Sequence, residues 1–339
     1  MSASSMGDAL DAVAADARAR GLMVREHVPL GPFTTYRVGG AAAVLVEVDT
    51  AEELAGLARI LAGRSGGSAD TDGHEDRGTD GVETLIVGNG SNLLVADGGA
   101  PVVAIRLGAG FDRIEIDSTT LVAGGAARLP VVARRSVAAG LSGFEWAVGV
   151  PGSIGGAIRM NAGGHGSDMA AVVRSVRVVD LRTGQDVSMP AAACEFSYRH
   201  SSIRPHQVVV EATLELREAH DGAAVAAGEE LLSEIVQWRR THQPGGHNAG
   251  SVFTNPAGDS AGRLIDTAGC KGLRIGSAEV STKHANFIQV DADGSANDVA
   301  EVMIAVIEAV RDRHGIQLHP ETVMVGFDAS VLERIGGAR

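Results

Sequence analysis

Ser251 stands in Asn248-Ala249-Gly250-Ser251-Val252-Phe253-Thr254-Asn255-Pro256. Small residues before it leave the hydroxyl open to close approach, and Asn-Pro fixes the exit of the chain. No glycine follows two residues after the serine, so the Gly-x-Ser-x-Gly elbow of a hydrolase is absent. A chemical Ser251 is therefore a hydroxyl proton donor rather than an acyl nucleophile. Read alone, the stretch favours an ordinary tight turn over a chemical serine.

Other segments carry chemistry of different kinds. Gly88-Asn89-Gly90-Ser91-Asn92-Leu93 starts like a dinucleotide fingerprint, but Leu93 replaces the third glycine and Leu94-Val95 reads as strand. Its backbone N–H groups can still converge on a pyrophosphate, or the segment is a plain strand-turn-strand. Gly149-Val150-Pro151-Gly152-Ser153-Ile154-Gly155-Gly156-Ala157, continuing to Asn161-Ala162-Gly163-Gly164, lacks the Gly-Lys-Ser/Thr of a P-loop. Two such segments favour a dinucleotide cofactor held by backbone; a glycine-rich crossover is the alternative. Tyr198-Arg199 can present a guanidinium fork to a carboxylate or phosphate, or Arg199 is a surface residue with its stem on Tyr198. Glu321, after Pro320 and before a strand-like run, is a candidate acid or base, or a solvated strand-start glutamate.

The elements that position these residues follow from periodicity and capping. Residues 8–20 read as an Ala-rich helix ended by Gly21, and Val44–Val48 as a buried strand. Thr50 and Glu53 make a capping box for a helix with Leu54, Leu57, Ala58 and Leu61 inward. Strands are predicted at 84–87, 102–106, 114–116, 121–123, 172–179 and 208–216, and a helix from Pro130 to Gly140. Asp221–Gly228 reads as a hinge, followed by a helix over 231–240. A final helix starts near Ser295-x-x-Asp298, with Val299, Met303, Val306, Ile307 and Val310 on one face. Strands and helices do not alternate strictly, so the class is α+β. The expected division is an N-terminal helix (1–20), a first domain (21–220) with a polar insertion at 63–81, a second domain (221–330) and a tail (331–339).

With 339 residues, 45% of them hydrophobic, the chain can bury sizeable cores. A net charge of −13 excludes a general nucleic-acid binder or membrane-surface protein, both of which need a cationic face. Cys194 and Cys270 are far apart and lack metal-ligand spacing, so no disulfide framework and no metal site is expected. No apolar run is long enough to span a bilayer, and the N-terminus has no signal core. A cytoplasmic protein without membrane insertion is the expectation.

In this order, from Thr35-Tyr36-Arg37-Val38-Gly39-Gly40 to Gly326, these segments resemble the UDP-N-acetylenolpyruvoylglucosamine reductases of peptidoglycan synthesis. The resemblance implies an FAD-binding domain of the vanillyl-alcohol-oxidase (PCMH) type and a smaller C-terminal substrate domain, with the Glu321 strand returning to the flavin. Non-covalent FAD would contact Tyr36, the first glycine segment (Gly88 to Leu93) and the second (Gly149, Pro151, Gly152, Ile154, Gly155, Gly156). Asn161, Ala162 and Gly163 would complete that set. NADPH is the implied reductant and UDP-N-acetylglucosamine enolpyruvate the substrate. Negative charge would spread into the enolpyruvyl carboxylate, where Arg199 and Glu321 match the need for a cation or acid, and Ser251 matches the need for a proton source. By position, Asn255, Lys271 and His284 are donors to the UDP diphosphate, with Lys283 a further cation and Tyr198 beside the substrate.

The chain departs from the family pattern in places. Thr254 stands where many relatives carry lysine, which shifts phosphate compensation to Lys271 or Lys283, and His165 replaces a common tyrosine. The stretch between Arg199 and Arg240 leaves no room for a tyrosine-bearing loop, as in the loop-less type II subgroup. A monomer is expected. Rival readings are a flavin oxidase or dehydrogenase of an alcohol or lactone on the same fold, and a non-catalytic nucleotide-sugar binding protein.

Overall fold

The computed structural model describes residues 3–63, 82–219 and 222–336. The expected insertion beyond Gly63, the expected boundary at 220/221 and the end of the expected tail lie outside the described residues. The chain forms two compact units. The first comprises the described residues up to Val28, then Ala42–Gly88 and Pro101–Leu232; the second takes Pro29–Ala41, Asn89–Ala100 and the chain from Ser233 onward.

In the first unit the strands Met23–Pro29, Ala41–Val48, Ala100–Leu107 and Thr84–Ile86 form one sheet in that spatial order. Thr84–Ile86 runs parallel to its neighbour, with Leu85 opposite Ala104. Thr50 and Glu53 make the reciprocal capping box at the start of helix Ala51–Ala62. That helix buries Leu54, Leu57, Ala58 and Leu61 with Val44, Val46, Val103 and Ile105. The N-terminal helix is longer than the pattern predicts, Ala3–Ala19, and adds Leu10, Val13, Ala14 and Ala17 to the same core. A second, wholly antiparallel sheet runs Asp186–Pro190, Val173–Asp180, Gln207–Glu215, Thr120–Gly124, Ile114–Asp117.

One expectation is corrected outright. Gly222–Gly228, read as part of a hinge, forms the opening turns of helix Gly222–His242. Ala223, Ala224, Ala226 and Ala227 are the best helix formers, and they outweigh Gly222 and Gly228 at about 1 kcal/mol each.

The second unit has its own core, built from Val252, Phe253, Leu264, Ile265, Ile288 and the inner face of helix Ala296–His314. Ser295 caps that helix by accepting from the Asn297 and Asp298 amides, and the predicted inward residues are all buried. Strands Arg274–Ile275, Ala278–Val280 and Ile288–Val290 form an antiparallel sheet, and Leu93–Val95 pairs in parallel with Val323–Val325. Part of the expected tail is helix Ala329–Ile335, held by the buried Ile335.

Candidate active site

Ser251 has an exposed side chain, followed at once by the buried pair Val252 and Phe253. Asn248 shapes the approach: its Oδ1 accepts from the Gly250 amide at 3.0 Å, and its Nδ2 donates to the Gly245 and Gly246 carbonyls at 3.2 Å each. The next residues run antiparallel to the Glu321 segment. The Glu321 amide donates to the Val252 carbonyl at 2.8 Å, the Thr254 amide to the His319 carbonyl at 2.9 Å, and Phe253 lies opposite Pro320. Two of the three proposed catalytic residues, Ser251 and Glu321, are thus fixed by one backbone ladder.

Asn92 reinforces the ladder. Its Nδ2 donates to the Glu321 carbonyl at 2.7 Å, and its own carbonyl accepts from the Val323 amide at 2.9 Å. Leu93 is buried in the strand beside Val323. Both residues, expected at the cofactor, fasten the segment that carries Glu321, Asn92 directly and Leu93 through Val323. Gly90 has φ +57°, and a Cβ there would collide with the Phe33 carbonyl, so only glycine fits. Tyr36 also differs from expectation. Its ring is fully enclosed among Val38, Leu94, Ala249 and Val252 and offers no surface to a cofactor. The Tyr36 hydroxyl approaches the Ala249 backbone without hydrogen-bond geometry, and burial pushes its pKa far above the usual phenol value.

Within the first unit the two glycine-rich segments meet. A Cβ on Gly88 would lie 2.7 Å from the Ser153 Oγ, the atom that caps helix Ile154–Met160 through the Gly156 amide. Bare backbone is exposed here at Gly88 and Gly156. The Gly88 amide can turn to a pyrophosphate-bearing cofactor, whereas Pro151, also exposed, has no N–H and the Gly156 amide is held by Ser153 at 3.4 Å. Part of the expected cradle serves packing instead. The Ile154 amide donates to the Ala127 carbonyl at 2.9 Å and the Gly155 amide to the Gly125 carbonyl at 2.8 Å. A Cβ on Gly155 would press on the Gly125 and Val209 carbonyls at 3.1 and 3.2 Å. Gly149 and Gly152 are buried.

Arg199 adopts φ +56°, with Nη2 donating to the Gly163 carbonyl at 3.1 Å and the guanidinium 5.3 Å from the centroid of the Tyr198 ring. Buried Asn161 holds this corner. Its Nδ2 donates to the Ser197 carbonyl at 2.9 Å and to Asp168 Oδ2 at 3.1 Å, and its Oδ1 accepts from the Ala170 amide at 2.9 Å. Both amide protons are committed, as is the backbone N–H on the Ile158 carbonyl at 3.2 Å, so Asn161 positions the Arg199 turn and not the expected cofactor. Neighbouring Ala162 accepts from the Met169 amide at 3.0 Å, and exposed His165 has φ +50°.

The expected diphosphate donors lie in the second unit. Asn255 Oδ1 accepts from the Ala261 amide at 3.0 Å, which turns its NH2 into the available end. Lys271 pairs with Asp266 at 2.8 Å, and Lys283 Nζ donates to the Arg240 carbonyl at 2.7 Å. Both are exposed contacts that a phosphate could replace at little cost. Thr254 donates its hydroxyl to the His319 carbonyl at 3.1 Å. Burial, aided by the Lys271 charge, holds His284 below the usual imidazole pKa; its Nδ1 accepts from the Asn286 amide at 3.3 Å. Asn286 was not singled out from sequence. Its signal is a polar residue inside the apolar run Ala285–Ile288.

Residues 78–189 match the model of an FAD binding domain, and residues 242–325 that of the C-terminal domain of UDP-N-acetylenolpyruvoylglucosamine reductase. Fold and site together define an FAD-dependent oxidoreductase. A UDP-N-acetylenolpyruvoylglucosamine reductase of Synechococcus sp. (strain RCC307) is 38% identical over 313 residues, 91% of this chain and 96% of the relative. One from Symbiobacterium thermophilum is 38% identical over 307 residues, 90% and 93% of the respective chains. The crystal structure of the reductase from Thermus caldophilus superposes with a TM-score of 0.73 at 33% identity, covering 90% of this chain and 99% of that one. The chain belongs to the UDP-N-acetylenolpyruvoylglucosamine reductase family. Among the described residues no helix is long and apolar enough to cross a membrane.

Proposed function

We propose that Ser251 delivers the proton that completes reduction of the enolpyruvyl group of UDP-N-acetylglucosamine enolpyruvate to UDP-N-acetylmuramate, in the peptidoglycan synthesis this family serves. Bound FAD supplies hydride chemistry, with NADPH as its reductant. Gly88 and the exposed part of the Gly149–Gly156 segment would hold its pyrophosphate by backbone, non-covalently. As charge develops in the enolpyruvyl carboxylate, Arg199 offers its guanidinium fork and Glu321, as the acid, a hydrogen bond. A serine suffices as proton donor because the enolate carbon is strongly basic. Asn255, Lys271, Lys283 and His284 donate to the diphosphate, and Tyr198 flanks the substrate. A loop-less type II enzyme, acting in the cytoplasm as a monomer, completes the reading.

The observation that carries it is the ladder linking Val252 to Glu321, which sets an exposed hydroxyl and a carboxyl on paired segments. Anaerobic mixing of NADPH-reduced enzyme with the enolpyruvyl substrate tests it. Ser251→Ala is expected to reduce normally with NADPH and to reoxidise more slowly by about a hundredfold or more. Reoxidation at the wild-type rate would remove Ser251 from the mechanism.

A further inference from the structure

We infer that Asn286 is a positioning residue for Ser251, an inference that rests on the proton-donor role proposed above. Residues 252–254 pair along one edge with 319–321, through the Glu321 amide on the Val252 carbonyl and the Thr254 amide on the His319 carbonyl. Successive residues of an antiparallel ladder point their peptide groups to opposite edges, so those of Phe253 face away from Pro320. Pro320, which has no N–H, falls where none is needed.

What meets the other edge of Phe253 is a single side chain. The Phe253 amide donates to Asn286 Oδ1 at 3.0 Å, Asn286 Nδ2 donates to the Phe253 carbonyl at 2.8 Å, and the Val252 amide donates to the Asn286 carbonyl at 2.9 Å. Asn286 thus does the work of a paired strand within one residue. It is 4% exposed and Phe253 1%, so water cannot take over these bonds. A primary amide carries both the acceptor and the donor required at every pH, which a carboxyl does only when protonated. The backbone N–H of Asn286 also donates to His284 Nδ1 at 3.3 Å, which places the imidazole proton on Nε2. One buried asparagine therefore sets the register of the proton donor and the ring of a proposed diphosphate ligand.

The test uses FAD-loaded wild type, Ser251→Ala, Asn286→Leu and Asn286→Asp. Measured are flavin reduction by NADPH, anaerobic reoxidation by UDP-N-acetylglucosamine enolpyruvate, Kd of that substrate for the oxidised enzyme, and Tm. Asn286→Leu should leave reduction within about twofold of wild type and slow reoxidation by roughly ten- to a hundredfold, as for a misplaced reacting group, with a much smaller change in Kd. In Asn286→Asp the buried carboxyl titrates above its usual range. Only its protonated form can donate to the Phe253 carbonyl, so reoxidation should rise as pH falls, on a limb absent from wild type.

Wild-type reoxidation in both Asn286 variants, with Ser251→Ala slow, overturns the inference and leaves the serine its role. If Ser251→Ala is as fast as wild type, the underlying reading fails and the inference with it. Equal slowing of both half-reactions together with a lower Tm makes Asn286 merely structural and also overturns it. Should Asn286→Leu lose its flavin or fail to fold, the pH profile of Asn286→Asp decides, and a flat profile overturns the inference.

Discussion

The Ser251 ladder and the glycine-rich segments are built on opposite principles. Around Ser251, polar side chains do the fastening: Asn92 on the Glu321 carbonyl, Asn248 on the Gly250 amide, Asn286 on Phe253. At Gly88 and Gly155 it is the absence of a side chain that matters, since a Cβ would meet Ser153 in one case and two carbonyls in the other. Glycine there has a double meaning. Gly88 is a cradle candidate, whereas Gly155 lets a helix settle on the strand ends behind it.

The contrast can be broken by substitution. Ser251→Ala is the largest expected effect, about a hundredfold or more on flavin reoxidation in stopped flow and almost nothing on Tm. Gly90→Ala comes next. Its positive φ and its contact with Phe33 should lower stability by about 2–3 kcal/mol in urea unfolding. Gly88→Ala should weaken FAD retention several-fold, read by released flavin, while Gly155→Ala should lose only about 1 kcal/mol of stability and keep its FAD. Loss of FAD from Gly155→Ala at unchanged Tm would turn that glycine back into a cradle.

A smaller effect is expected from pH. Burial lowers the folded pKa of His284, so its contribution to stability is present above the ordinary imidazole pKa and falls away as pH drops through the lowered value. Comparing His284→Gln with wild type by Tm between about pH 7.5 and 5 should show the variant losing less. Least of all, Lys271→Ala should change stability by less than about 0.5 kcal/mol, because its pair with Asp266 is exposed.

Much of this was legible locally. The Thr50–Glu53 box, the Pro130 helix start, the Ser295 cap and the inward face from Val299 to Val310 depend on near neighbours in sequence, and all are found. Motif order was legible as well, and with it the family. What failed depended on distant partners. Tyr36 looked available because nothing near it in sequence announces that Leu94, Ala249 and Val252 enclose it. The hinge expected over 221–228 gave way to the alanines between Gly222 and Gly228, which carry the helix from Gly222. Asn286 was passed over because its worth lies in Phe253, a residue from another segment whose peptide edge no periodicity exposes.

The parallel pairing of Leu93–Val95 with Val323–Val325 has a consequence for biosynthesis. Asn92 and Glu321 are 229 positions apart, and at about 5–20 residues per second the ribosome needs on the order of tens of seconds to cover that interval. Until then the early strand has emerged without its mate, and the second unit cannot close, however promptly the segment from Ser233 folds. A nascent chain halted before His319 would carry every glycine of the cofactor cradle and still lack the ladder that fixes the proton donor.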